Sequence, residues 1–247
     1  MSENAVEFVN ISKKFRIYHE KRSSVYEAIL GWFSKKKHYE NLTVLDDLSF
    51  SIKKGEMFGI IGKNGMGKTT LLRVMAGIYK PDSGHIINNG SIVPFLGLGA
   101  NFQLDLTAKA NIIQYGILLG LSNNEIKKNI EKIIEFSGLE KFADTKLKNF
   151  SNGMYARLAF ATAVQADPDI LLIDEILQVG DLEFQKKSYE KILSFKKQGK
   201  TIVIVTHDIN TIQKHCDRSL LLNNGKIEAL GNPTEVVKKY REISYQE

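Results

Sequence analysis

The chain predicts an α/β fold with a mainly parallel core sheet, a strand-rich opening and an inserted helical lobe. Three observations carry that expectation. A glycine-rich loop joins an apolar strand to a helical segment across residues 57–76, and apolar spacing switches to three- and four-residue steps between Ala108 and Phe136. From Ile170 to Leu222 strands and helices alternate, the signature of parallel strands with helical crossovers. With 247 residues and 43% hydrophobic content, the chain can bury one sizeable core with a smaller lobe inserted.

In chain order, Val6 to Ile11 alternates as a strand and Val44 to Ile52 as another. Lys53-Lys54-Gly55-Glu56 is a turn feeding Met57-Phe58-Gly59-Ile60-Ile61, a buried strand, and Thr69 to Ala76 is the helix beyond the glycines. Pro81-Asp82-Ser83-Gly84 turns the chain, and short strands at His85 to Ile87 and Ser91 to Val93 flank Asn88-Asn89-Gly90. Two helices fill Ala108 to Phe136, with Ser122-x-x-Glu125 as a capping box and Gly138 as a stop. Another helix runs from Met154 to Val164. Strand Ile170 to Ile173, helix Glu183 to Lys197, strand Thr201 to Thr206, helix Ile209 to His215 and strand Ser219 to Leu222 follow, the last turning at the Asn224-Gly225 hairpin.

One segment exceeds what such a core needs. Between the first two strands, Val25, Tyr26, Ile29, Leu30, Trp32 and Phe33 recur at helical spacing behind a Ser24-x-x-Glu27 cap, flanked by Lys21-Arg22 and Lys35-Lys36-Lys37. The basic flanks and the chain's only Trp suit a membrane surface; the alternative is a helix packed on the chain's own core.

Composition narrows the setting. The charge of +6, from 34 Lys+Arg against 28 Asp+Glu, is compatible with nucleic acid, an anionic membrane face or mere solubility. Cys216, the single cysteine, has no internal partner, and Met1-Ser2-Glu3-Asn4 lacks the basic-then-apolar pattern of a signal sequence, so a reducing cytoplasm is expected. Ile170 to Ile173 is cut off by Asp174 and Glu175, and no apolar run approaches the roughly 18–20 residues of a bilayer span.

Gly62-Lys63-Asn64-Gly65-Met66-Gly67-Lys68-Thr69 fits the phosphate-binding pattern G-x-x-x-x-G-K-[ST] in its required strand-loop-helix context. Glycines at 62, 65 and 67 let backbone N–H groups close on phosphate oxygens, with Asn64 in the same loop, while the helix N-terminus, starting at Thr69 and Thr70, adds partial positive charge. Lys68 is placed to reach the β- and γ-phosphates and Thr69 to offer its hydroxyl to the Mg²⁺ that a nucleoside triphosphate brings with it. Leu171-Leu172-Ile173-Asp174-Glu175 ends a buried strand in two carboxylates, Asp174 suited to the metal side and Glu175 to orienting or deprotonating a water. His207 follows the next strand, within reach of a γ-phosphate, although a histidine there is also readily satisfied locally. Ser151-Asn152-Gly153-Met154 opens a helix and forms a second anion-binding tip.

A phosphate loop, a tip of Leu-Ser-Gly-Gly-Gln type, a strand ending in Asp-Glu and a His after the following strand, in that order, resemble the ATP-binding-cassette (ABC) ATPases from about Val6 to about Ile227. The resemblance implies a single nucleotide-binding domain over 1–247, with an antiparallel β subdomain, a helical lobe at about 104–166 and the amphipathic insertion at about 19–40. It implies a head-to-tail homodimer holding two ATP molecules, with Ser151 and Gly153 acting on the partner's nucleotide. By the same resemblance Phe15 stacks on adenine, with Tyr18 nearby as the alternative; Gln103 links metal to helical lobe, with a catalytic role; and Asp181 is the dimer-contact aspartate. Asn152 and Met154 replace the usual glycine and glutamine, so the hydrogen bonding of those side chains is not carried over. Phe-Ser-Asn-Gly-Met is instead similar to the Tyr-Ser-Ser-Gly-Met form of the cell-surface polysaccharide exporters, as is the run Leu96 to Thr107 around Gln103. That subfamily implies an ATPase on the cytoplasmic face of the cell membrane, peripherally bound. It would drive a membrane permease to move lipid-linked polysaccharide of O-antigen, capsule or teichoic acid type. The alternatives are an ABC ATPase for another cargo, or a soluble one acting on nucleic acid or ribosomes. The latter usually carries two cassettes or a long coiled coil, and the sequence has one of each motif and no sustained heptads, so no nucleic acid is expected.

Overall fold

The computed structural model describes residues 3–18, 39–174 and 180–245. The amphipathic segment Ser24 to Phe33 and the candidate base Glu175 lie outside the described residues, as does the side chain of Tyr18.

Two sheets organise the described chain. Strands β1 (Asn4–Tyr18), β2 (Tyr39–Lys53) and β4 (Ser83–Asn88) form an antiparallel sheet in the order β2-β1-β4. Strands β3 (Met57–Ile61), β5 (Ile92–Phe95), β6 (Ile170–Asp174), β7 (Thr201–Val205), β8 (Arg218–Asn223) and β9 (Lys226–Gly231) form the second, in the order β5-β6-β7-β3-β8-β9. Its neighbours pair in parallel except β8 with β9, which turn back at Asn224-Gly225 as expected.

The strands of the parallel sheet read as continuous apolar runs because both of their faces are buried. On β6, Ile170 and Leu172 face one hydrophobic cluster while Leu171 and Ile173 face the other; on β7, Val203 and Val205 alternate likewise with Ile202 and Ile204. The first face packs on the antiparallel sheet and on helix α1 (Lys68–Met75), through residues such as Phe8, Phe50, Leu71 and Leu72. The second face carries α2 (Ala108–Leu118), α3 (Asn123–Ser137), α4 (Asn152–Ala163), α5 (Leu182–Lys197), α6 (Ile209–His215) and α7 (Pro233–Tyr245). Gly59 explains how α6 comes so near β3: a Cβ there would lie 2.5 Å from Ile212 Cδ1 and 3.0 Å from Cys216 Sγ. Burial pushes the Cys216 thiol up to about 12, so it packs as an inert small apolar group.

Local signals account for most boundaries. Ser122 and Glu125 make the complete capping box of α3, and Gly138 ends the helix at φ +65°. Three features differ from expectation. Strands β1 and β2 run well beyond Ile11 and before Val44, because a bulge breaks their alternation: Asn10 and Asp47 adopt φ of +50° and +54° and hydrogen-bond across the strands at 2.9 Å. The strands on either side of Asn88-Asn89-Gly90 belong to different sheets, β4 pairing with β1 and β5 with β6. Helix α7 was not anticipated. Its signal is Asn232-Pro233-Thr234-Glu235, in which the Asn232 side chain accepts from the Thr234 N–H at 2.9 Å, and Val236 and Val237 bury one face.

Candidate nucleotide site

Strand register brings the site together. In the row β3-β7-β6, Ile60 pairs with Val205 and Val205 with Asp174, so three strands end at one level. Gly62 and His207 each lie two residues past a paired position, and Asp174 is the last residue of its own strand. This carboxyl edge of a parallel sheet is where ligand crevices form.

The loop after β3 is shaped by contacts that only glycine allows at two positions. At Gly62, φ is +154° and a Cβ would sit 2.3 Å from the Leu222 carbonyl oxygen; at Gly67, φ is +99° and a Cβ would sit 2.8 Å from the Val44 carbonyl oxygen. The loop is thus wedged between the end of β8 and β2, and the Asp46 N–H bond to the Gly225 carbonyl at 2.9 Å ties those two walls together. Gly67 is the N-cap of α1 and contributes no side-chain hydrogen bond, and the first turn carries no acidic residue. Its backbone N–H groups therefore offer a positively polarised end to an anion. Lys68 is 7% exposed, and its ammonium donates to the carbonyls of Gly62 at 2.6 Å and Lys63 at 2.9 Å, which holds it inside the curl of the loop.

Beside this loop opens a cleft of about 500 Å³ lined by Phe15, Val44, Asn64, Gly65, Gly67, Lys68, Thr69, Thr70, Asp174 and Val205. Eight of the residues singled out from sequence meet there, and Gly62 adjoins it through Lys68. Phe15 forms the apolar end of the wall, its ring edge-on to Tyr79 at 5.5 Å with the Lys13 ammonium 5.5 Å from its centroid. Val44 and Val205, which periodicity marked only as strand residues, complete the wall.

The donor chemistry also suits a hard divalent cation. Among the described residues no group of three or more His, Cys, Asp or Glu side chains forms a protein-only metal cage. Thr69 and Asp174 instead supply one hydroxyl and one carboxylate to the cleft, a set that fits Mg²⁺ completing its shell with water and phosphate oxygens.

Gln103, His207, Ser151, Gly153 and Asp181 are not among the described residues lining the cleft. His207 is exposed, next to Asp208, which caps α6. The Thr211 hydroxyl, with further N–H bonds from Asn210 and Thr211, holds the Asp208 carboxyl below its ordinary value against the opposing effect of burial. Gln103 is exposed too, but its backbone is pinned by a residue the motif reading missed. Asn111, fully buried on α2, accepts from the Gln103 N–H at 2.7 Å and donates to its carbonyl at 2.9 Å and to that of Thr107 at 3.0 Å. Its only signal in sequence is an amide on an otherwise apolar helix face.

The second tip lies at the start of α4. Ser151 is the N-cap and its hydroxyl accepts from the Met154 N–H at 3.3 Å, leaving its own O–H to donate, with Gly153 partly exposed in the first turn. Asp181 caps α5 by accepting from the Phe184 N–H at 2.9 Å, and pairs with Arg157 of α4 at 3.6 Å.

The ABC transporter family matches residues 45–178, more than half of the chain and the whole stretch from the second strand past Asp174. The chain belongs to the ABC transporter family. Among relatives of this ABC cassette, the O-antigen export system ATP-binding protein RfbB of Klebsiella pneumoniae is 36% identical over 97% of this chain and 98% of that protein. The RfbB of Myxococcus xanthus is 42% identical over 98% of this chain and 56% of that protein. The teichoic acids export ATP-binding protein TagH of Lactococcus lactis is 39% identical over 94% of this chain and 50% of that protein. The cassette thus spans about half the length of two of these relatives and nearly all of the third. These names agree with the subfamily resemblance drawn from Phe150 to Met154. An ATP-binding subunit of an ABC transporter shares the fold at a TM-score of 0.76 and 22% identity, over 97% of this chain and 99% of that one. So does a cassette solved as a dimer in a post-hydrolysis state with ADP and Pi, at 0.71 and 24%, over 92% and 98%.

Proposed function

We propose that this ABC cassette is the ATP-hydrolysing subunit of an exporter that moves lipid-linked polysaccharide, of O-antigen, capsule or teichoic acid type, through a separate membrane permease. The observation that carries this reading is the near full-length match to an O-antigen export ATP-binding protein, supported by a phosphate-loop cleft lined by eight of the residues singled out from sequence.

ATP would lie with its phosphates on the Gly62–Thr70 loop and its base toward Phe15. Mg²⁺ would be held by Thr69 and Asp174, with Gln103 reaching it from the helical side; when bound, it neutralises charge on the transferred phosphoryl group. The chain's own residues do the rest. Lys68 stabilises the β- and γ-phosphate charge, Glu175 orients and deprotonates water, and His207 contacts the γ-phosphate from the end of β7. Ser151 and Gly153 would complete the site of a second copy in a head-to-tail homodimer, with Asp181 at the contact. A single domain over 1–247 with its helical lobe at about 104–166 fits this division of labour.

No helix among the described residues is long and apolar enough to cross a membrane. The cassette would sit peripherally on the cytoplasmic face, recruited by its permease. The basic flanks Lys21-Arg22 and Lys35 to Lys37 would meet anionic lipid or a lipid-phosphate head group. The test is reconstitution with the cognate permease, measuring ATPase activity as lipid-linked glycan is added. Stimulation by the glycan lipid is expected; a response only to a peptide or small solute would overturn the cargo and leave the ATPase intact.

A further inference from the structure

The Gly97–Gln103 loop is fastened to the helix that carries the second tip. The Tyr155 hydroxyl, on the first turn of α4 just past Ser151, donates to the Gly99 carbonyl. A Cβ on Gly99 would lie 2.6 Å from Tyr155 Cε1 and 3.2 Å from Phe102 Cδ2, so the loop backbone lies directly against the tyrosine ring. Phe102, 7% exposed, stands edge-on to Tyr155 and to Tyr115, each at 5.1 Å between centroids. The turn closes on itself through Ala100 N–H to Gly97 at 3.0 Å and Phe102 N–H to Gly99 at 2.8 Å, so Gly99 is its fixed point. Asn111 then grips Gln103 from α2. From Gly99 to Gln103 the loop is therefore held by aromatic and amide side chains of two helices.

We propose that Tyr155 is a positioning residue that locks the Gln103 loop to the Ser151 tip, so that the metal-side glutamine of one site and the donor offered to the other move as one piece. This rests on the reading of Gln103 as part of the hydrolytic site. Tyr155 touches no nucleotide in this scheme and acts only through Gly99 and Phe102. The aromatic trio supplies rigidity: three rings in edge contact repack only together, whereas a loop held by backbone turns alone would shift freely. Burial raises the Tyr115 and Tyr155 hydroxyls above their ordinary range, so both stay protonated at neutral pH and Tyr155 remains a donor.

The experiment is a double-mutant cycle on the full chain, measuring ATP hydrolysis and melting temperature for Tyr155→Phe, Gln103→Ala and the pair. Tyr155→Phe keeps the ring and loses the bond to Gly99. We expect kcat to fall roughly fivefold with KM for ATP within about twofold, and the same substitution to lower kcat less than about twofold when Gln103 is already alanine. Phe102→Leu, which removes the ring and keeps an apolar side chain, carries the same expectation and stands in should Tyr155→Phe not fold. Equal losses in both backgrounds would overturn the proposal, because Tyr155 would then act independently of Gln103. So would a change in KM without kcat, or an unchanged kcat in Tyr155→Phe beside a strong loss in Gln103→Ala. If Gln103→Ala turns over at the wild-type rate while Tyr155→Phe does not, the reading of Gln103 falls with it.

Discussion

The two helix N-termini proposed to bind anions are built alike and finished differently. Both open a helix with a small residue at the N-cap, Gly67 before α1 and Ser151 before α4. Around Gly67 the chain assembles a full cleft, with a phosphate curl, a buried lysine, a hydroxyl, a carboxylate and an aromatic wall. Ser151 is exposed and takes no part in that cleft among the described residues, although a serine N-cap and a helix dipole are as able to bind an anion as those at Gly67. The comparison teaches that a helix N-terminus becomes a nucleotide cleft only when other strands deliver their ends to it; in the proposed dimer a second copy would do so for the second tip.

The largest effects should fall on the first region. Glu175→Gln keeps the side chain's shape and removes the carboxylate proposed to activate water, so hydrolysis should drop by about 10²–10⁴ with ATP still bound, as a trapped dimer. Equilibrium nucleotide binding beside single-turnover hydrolysis checks both halves of that statement. Lys68→Ala should act earlier, on binding itself. Losing a charge-assisted contact to phosphate costs about 3 kcal/mol, roughly a hundredfold in affinity, and normal affinity in this variant would dissolve the distinction between the two tips.

Ser151→Ala should separate them. It removes one donor, so turnover should fall about tenfold to a hundredfold, while ATP affinity of the single chain stays unchanged. Mixing makes the comparison sharper. A Lys68→Ala chain and a Ser151→Ala chain each assemble only defective sites, but a head-to-tail heterodimer contains one site built from an intact loop and an intact tip. Recovery of hydrolysis on mixing, above the sum of the two separate chains, is expected; no gain on mixing would mean that Ser151 serves its own chain's cleft.

How much of this was legible from the residues follows from the range of the interactions. Met57 to Ile61, the Gly62–Thr69 loop and the Ser122–Glu125 cap depend on neighbours close in sequence, and they appear where spacing puts them. Asp174 was legible because a buried parallel strand must end at the ligand edge. Long-range partners were not. Nothing local marks Val44 as the wall against Gly67, Asn111 as the clamp on Gln103 or Tyr155 as the anchor of Gly99, since each acts on a residue that only folding brings near. That Ser151, Gly153 and Asp181 act across a dimer rests on resemblance alone, because the nucleotide they would serve is bound by a second chain.

The smallest effect should come from loosening the second region without touching either tip. Ser122 caps α3, accepting from the Glu125 N–H at 3.3 Å, while the Glu125 carboxylate takes the Ser122 N–H at 2.8 Å and its hydroxyl at 2.6 Å. Losing a serine N-cap costs about 1 kcal/mol, roughly 2–4 °C in melting temperature for a chain of this length. Nucleotide affinity should not change, since α3 packs on its neighbouring helices and contributes nothing to the described cleft lining. The pH dependence gives the cap away. Hydrogen bonds from the Ser122 hydroxyl and then its N–H hold the Glu125 carboxyl below its ordinary value of 4.5, so their support is present above that pH and is lost as pH falls through the lowered value. The gap in melting temperature between wild type and Ser122→Ala should therefore be widest near neutrality and narrow as pH falls below 4.5. It should not vanish there, because the Glu125 N–H still bonds to the serine oxygen in the protonated state. A gap that is flat with pH would mean that the carboxylate contributes nothing to the cap. A loss of nucleotide affinity in Ser122→Ala would mean that the helical region and the cleft are one cooperative unit, and that the contrast between the two tips is one of exposure alone.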